Sequence, residues 1–197
     1  TDGVCRQPCG EDVFFHAEGE PVPASIPHDW PTAHVFDRNL QSRLQKKPAV
    51  WEWLVRAADF RPFSIQSYIT SSLLDWMRNL DGDQAASGLL DATCFIATNL
   101  KHLDEEAMEK VTDNLPWILA GGRVLLSEHR GGQELVTPEC LEGEAGWNWV
   151  FISEHDRQHF CVLADAYIDG QPTAVRKAVE DLMEECGAMD FPNPARR

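Results

Sequence analysis

The sequence predicts an α+β fold: a helical middle, a small and mostly antiparallel sheet after it, and a C-terminal helix, behind an irregular proline-rich N-terminal arm. Three observations carry this expectation. From Ser64 onward, apolar residues recur every three or four positions. After Gly121-Gly122 the apolar residues run in short stretches of strand type. Before residue 48, Pro21, Pro23, Pro27 and Pro31 interrupt any regular hydrogen-bond ladder. With 197 residues, 43% of them hydrophobic and 25% charged, the chain has the size and composition of one globular domain. The expected divisions are an arm (1–47), a helical part (48–122), strands with a closing helix (123–187) and a tail (188–197).

In the arm, Asp12 to Ala17 reads as a short strand and Asn39 to Gln45 as a short helix. Pro48 suits the first turn of the next helix, through Ala49 to Val55. Ser64 is the expected N-cap of a five-turn helix whose buried stripe is Ile65, Tyr68, Ile69, Leu73, Trp76, Met77 and Leu80. A second helix carries Leu89, Leu90, Ala92, Cys94, Phe95, Ile96 and Leu100. Asp104 caps a third, with Glu105 and Glu106 placed well against its N-terminal dipole, and Pro116 limits it. Arg123 to Ser127, Trp147 to Ser153 and Phe160 to Ile168 read as strands, the last two as an antiparallel hairpin. Thr173 caps the closing helix, whose apolar set is Val175, Ala178, Val179, Leu182, Met183 and Cys186, and Gly187 stops it.

Charge narrows the functional classes. Thirty-two acidic residues face 17 basic ones, for a formal net charge of −15. Nucleic-acid binding draws its affinity from cations that neutralise phosphates, so this balance argues against it, and against anionic membranes as well. An acidic surface suits a protein partner with a basic surface. No apolar run approaches the ~18 residues of a membrane span, and no charged-then-apolar leader is expected. The six cysteines are too few for a disulfide scaffold and point to a reducing, cytoplasmic setting. Cys94, Cys161 and Cys186 read as small buried hydrophobes.

Two clusters have the residue types of a metal site. Arg123-Val124-Leu125-Leu126-Ser127-Glu128-His129 is echoed by Trp149-Val150-Phe151-Ile152-Ser153-Glu154-His155, so two Ser-Glu-His ends would meet if their strands ran side by side in parallel. That edge would gather His129, His155 and His159 as ligands for zinc, iron or manganese, with Glu128 or Glu154 as a base. His155 and His159 also have the four-residue spacing of ligands on one helix face; Asp156 stands where the zincin pattern has Glu, so no protease reading is carried over. In the arm, Cys5, Cys9, His16, His28 and His34 offer a structural zinc site that would order it.

Other chemistry is incomplete. Gly121-Gly122 and Gly131-Gly132 lack the spacing and the lysine of a phosphate loop. Asp37 could begin a nuclease carboxylate set, Cys140 or Cys161 could pair with a histidine, and Asp165 could be a buried acid. No spacing completes any of these. Seven tryptophans are many for this length. Trp51 and Trp53 would diverge by roughly 200° on a helix, so at least one is less suited to the core; the sequence leaves two readings, both tryptophans buried in a tryptophan-rich core or one of them exposed as a protein-binding anchor. The expectation is therefore a non-enzymatic, acidic protein that binds another protein as inhibitor, immunity factor or adaptor. The alternative is a metal-dependent hydrolase at the Ser-Glu-His ends.

Overall fold

Phe14 and Phe15, at the end of an otherwise polar stretch, seed the first sheet in the computed structural model. The structure describes residues 13–17, 26–27, 30–31, 33–57, 60–80, 85–126, 131–141 and 149–190. The chain forms two compact units, residues 1–73 and 74–197.

In the first unit, β1 (Val13–Phe15) lies between β2 (His34–Val35) and β3 (Arg61–Pro62), and both neighbours run parallel to it. The register sets Phe14 opposite Val35 and Arg61. Pro62 has no N–H to give, which an edge strand tolerates. Between β2 and β3 run α1 (Arg38–Gln45) and α2 (Pro48–Arg56), the crossover that a parallel arrangement demands. Asp37 caps α1 by accepting from the N–H groups of Asn39 and Leu40, both at 3.0 Å. Aromatic pairs line the interior: Phe14 edge-on to Phe63 at 5.9 Å, Phe15 edge-on to Trp51 at 5.1 Å, and Phe36 tilted against Phe60 at 5.1 Å. Tyr68 is buried and its hydroxyl donates to the Pro31 carbonyl at 3.0 Å.

The helix expected over five turns is present but shorter, ending at Arg78 after about four turns, and it changes pitch. α3 (Ile65–Tyr68) opens on the Ser64 cap, Ile69–Leu73 is a π turn, and α4 (Leu74–Arg78) continues into the second unit. The Thr70 hydroxyl bonds the Gln66 carbonyl at 3.0 Å inside that wide turn. Leu73, which ends the π turn, and Leu74, which opens α4, are both buried.

In the second unit, α5 (Ala85–Thr98) buries Leu89, Ala92, Thr93 and Ile96. It packs on α8 (Thr173–Glu185), which buries Val179, Leu182 and Met183. α6 (Glu105–Asn114) opens on Asp104, whose carboxylate accepts from Ala107 N–H at 2.9 Å. Gly121 and Gly122, at φ 92° and 83°, turn β4 (Trp117–Ile118) back onto the antiparallel β5 (Val124–Leu125). β6 (Glu134–Val136) pairs in parallel with β7 (Phe160–Val162). Bridges from Leu119 to Leu163 and from Val136 to Met189 tie these pieces together. Tyr167, in a 3-10 turn (Asp165–Tyr167), is fully buried; its hydroxyl accepts from Ile118 N–H at 2.9 Å and its ring meets Trp117 edge-on at 5.4 Å.

The chain is thus a mixture of helices and short strands, but the sheet expectation needs correcting. Among the described residues, β4 and β5 pair antiparallel, whereas β1 with β2 and β3, and β6 with β7, pair in parallel. Residues 149–151 form a helical turn instead of a strand, because Trp149 and Ile152 point to the core at helical spacing while Val150 and Phe151 point out. The Arg157 guanidinium takes the carbonyls of Trp149, Val150 and Ile152, which a ladder would otherwise use. The strand expected to reach Ile168 ends at Val162, with one further bridge at Leu163, and the 3-10 turn that follows carries Tyr167 onto Trp117. Nor is the arm wholly irregular, for β1, β2 and all of α1 lie within it.

Candidate functional site

α2 is short and strongly apolar on one side, yet it buries none of its residues. At 100° per residue, Trp53, Val50, Leu54, Trp51 and Val55 cover an arc of roughly 200°, about twice the stripe a surface helix needs. Trp51, Leu54 and Val55 occupy the inward half and are half-buried, Trp51 against Phe15. Trp53 and Val50, three positions apart, occupy the outward half, and Trp53 is 53% exposed. Leu40 on α1 is exposed too.

What fixes this hairpin is a buried amide. The Gln41 side chain accepts from His16 N–H at 2.7 Å and donates to His16 carbonyl at 2.9 Å, pairing with β1 as another strand residue would. Around the exposed residues the charges are cationic. Residues 38–56 contain Arg38, Arg43, Lys46, Lys47 and Arg56 against Glu52 alone, a net +4 in a chain of −15. All five cations are exposed, and Arg56 pairs with Glu52 at 2.9 Å. A cation sits three positions from each exposed apolar residue: Arg43 from Leu40, Lys47 from Val50, Arg56 from Trp53.

A second exposed apolar pair lies in the other unit. Val150 and Phe151 project from the 149–151 turn, with Phe151 79% exposed. Arg157 holds that turn through bonds of 3.1 Å to Trp149 O, 3.3 Å to Val150 O and 3.2 Å to Ile152 O, and its guanidinium lies 5.5 Å from the Trp149 ring centroid. Behind it, Trp149 packs on a cluster of Val136, Cys140, Ile152, Phe160 and Val162. Next in sequence, Ser153 caps α7 (Glu154–Arg157), which carries Glu154, His155 and Asp156. The second Ser-Glu-His therefore begins a helix and does not end a strand.

The sequence candidates for chemistry are scattered. Glu128, His129, Cys5, Cys9 and His28 lie outside the described residues, as does Trp147. Of His34 only the backbone, in β2, is placed. The His155 and His159 rings are exposed, with centroids 6.0 Å apart and planes at 85°. His155 Nδ1 stands 3.0 Å from Gln158 Nε2, an amide donor, so in this arrangement Nδ1 accepts and the neutral ring holds its proton on Nε2. Glu154 is exposed beside them. His16 is half-buried, and its Nδ1 has no partner among the described residues. Among the described residues no three His, Cys, Asp or Glu side chains gather as a metal site.

The remaining acids and thiols have other roles. Asp37 is spent on capping α1, and Asp165 is exposed. Burial, with the Glu139 and Asp165 charges adding to it, pushes the Cys140 thiol up to about 12, so it stays protonated and unreactive near neutrality. Cys161 is buried and its thiol donates to Gln133 Oε1 at 3.1 Å. Cys94 and Cys140 are free thiols. Among the described residues no helix is long and apolar enough to cross a membrane.

Sequence reasoning singled out Trp51 and Trp53 but missed Leu40, Val50, Val150, Phe151 and Arg157. For the first two the signal was available in the excess apolar arc and the run of cations from Arg38 to Arg56. For the last three it was not, because the strand reading of 147–153 hid the helical turn. No protein-family model, no curated protein and no solved structure matches the chain.

Proposed function

We propose that this chain acts by binding another protein, as an adaptor or inhibitor and not as an enzyme, with Trp53 as an anchor. The observation that carries this reading is the exposure of Trp53 and Val50 on a helix whose apolar arc is twice what its own unit covers. Tryptophan is the residue type that most often dominates an interface, and truncating a buried anchor typically costs 2 kcal/mol or more. Six cysteines in 197 residues, too few for a disulfide scaffold, fit a reducing, cytoplasmic setting. To test the reading, a random peptide library displayed on phage is selected on the intact chain. Enriched peptides should bind the wild type and lose at least about tenfold on Trp53→Ala. A selection in which no enriched peptide depends on Trp53 sinks the reading.

A second reading is favoured by one observation, the 6.0 Å separation of the His155 and His159 rings. Two imidazoles at that distance suit a shared zinc, with His129 as a further ligand and Glu128 or Glu154 as base in a metal-dependent hydrolase. Ligation through His155 Nε2 needs the proton moved to Nδ1 and the Gln158 amide turned over. Metal analysis of the purified chain decides it: stoichiometric zinc that is lost in His155→Ala supports the site, and its absence from both removes it.

A further inference from the structure

The charges around Trp53 identify the chemistry of its partner, and they oppose those of the molecule as a whole. A net charge of −15 calls for a basic partner, yet the hairpin that exposes Leu40, Val50 and Trp53 is +4, which leaves −19 on all other residues. Along α2, Lys47, Val50, Trp53 and Arg56 form one row of three-residue steps, with a cation at each end and the apolar pair between. On α1, Leu40 and Arg43 repeat the pairing, and Lys46 follows at the C-cap.

We propose that this face takes an acidic protein segment whose apolar side chains seat on Val50 and Trp53 while its carboxylates meet Lys47, Arg56 and Arg43; the proposal rests on the protein-binding reading above. The scale of the charged patch favours a short acidic segment over a polyanion. Helices of eight and nine residues are only about 12–14 Å long. At physiological salt the charges act over about 8 Å, so a segment confined to the hairpin feels mainly its cations. Duplex DNA, with a charge every ~1.7 Å, or an anionic bilayer would extend well beyond two helices of this length. A carboxylate segment also gains steering from the cations and specificity against basic competitors.

The test uses the Trp53-dependent peptides selected from the unbiased library on the intact chain. They should be enriched in Asp and Glu around one or two large apolar residues. Their affinity should fall at least about tenfold on Lys47→Glu, on Arg43→Glu, and between about 50 and about 500 mM NaCl. Lys101→Glu, an exposed cation outside the hairpin, should change it by less than about twofold. Trp53-dependent peptides that are neutral or basic overturn the acidic partner and leave protein binding standing. No Trp53-dependent peptide at all removes both. Tighter Trp53-dependent binding to phosphatidylserine vesicles or to a single-stranded oligonucleotide overturns the proposal in favour of lipid or nucleic acid.

Discussion

Trp53 with Val50 and Phe151 with Val150 are two exposed apolar pairs held by opposite means. The first pair sits on a helix with its own backbone ladder, and the hairpin is tied to β1 by the neutral, buried amide of Gln41. The second sits on a helical segment described at residues 149–151, which the charged and half-buried Arg157 holds by three carbonyls. The surroundings differ as well: cations flank Trp53, whereas Glu154 and Asp156 follow Phe151 in sequence. Exposure of an apolar residue therefore does not name its partner. The charge around it carries that information, and the polar residue beneath it decides how rigidly it is presented.

The comparison can be broken first through the two buried tyrosines. Burial pushes the Tyr167 hydroxyl up to about 12, and it raises that of Tyr68 as well. A hydroxyl that titrates higher folded than unfolded contributes stability in full below the unfolded value near 10, and loses it as pH rises through the folded value. The second unit should therefore lose up to about 3 kcal/mol between pH 10 and about 12, read by urea unfolding at stepped pH. In Tyr167→Phe that slope should flatten.

Next come the two polar anchors. Gln41→Leu leaves the His16 N–H and carbonyl unpaired and should cost about 2–3 kcal/mol in the first unit. Arg157→Ala removes its charge-assisted bonds and the contact with Trp149, and should cost about 2 kcal/mol in the second. If either variant unfolds at the wild-type urea midpoint, that anchor does not hold its region. The smallest effects on stability belong to the exposed residues themselves. Trp53→Ala and Phe151→Ser should each shift the unfolding free energy by no more than about 0.5 kcal/mol. A larger loss in Trp53→Ala would show that the side chain is packing its own unit, not waiting for a partner.

Most helix ends were legible in this fold, although Thr173, expected as a cap, is the first residue of α8 behind Pro172, and no side chain caps that end. Ser64, Asp104 and Pro48 lie where local chemistry puts them, since a cap or an N1 proline acts on backbone groups within one turn. Gly187, at φ 72°, ends α8 for a similarly local reason. Strands were less legible. β6 has three residues and β7 three, and neither length supports a period. Their parallel pairing joins positions 26 apart, so no turn signal marks it. At the candidate site, the divergence of Trp51 and Trp53 followed from helix geometry, while the placement of Phe151 depended on Arg157, six residues on.

By itself the amino-acid sequence determined the mixed composition of helix and strand, the positions of the capped helices, and the +4 charge of residues 38–56. Each of these is a property of neighbouring residues. The tertiary structure decided which sheets are parallel, that 149–151 coils into a turn, and which half of the α2 arc stays in solvent. Those outcomes rest on contacts between distant residues: Gln41 with His16, Phe15 with Trp51, and β6 with β7. Local pattern cannot supply them, because an apolar arc records how much surface a helix offers for burial but not which partner covers it.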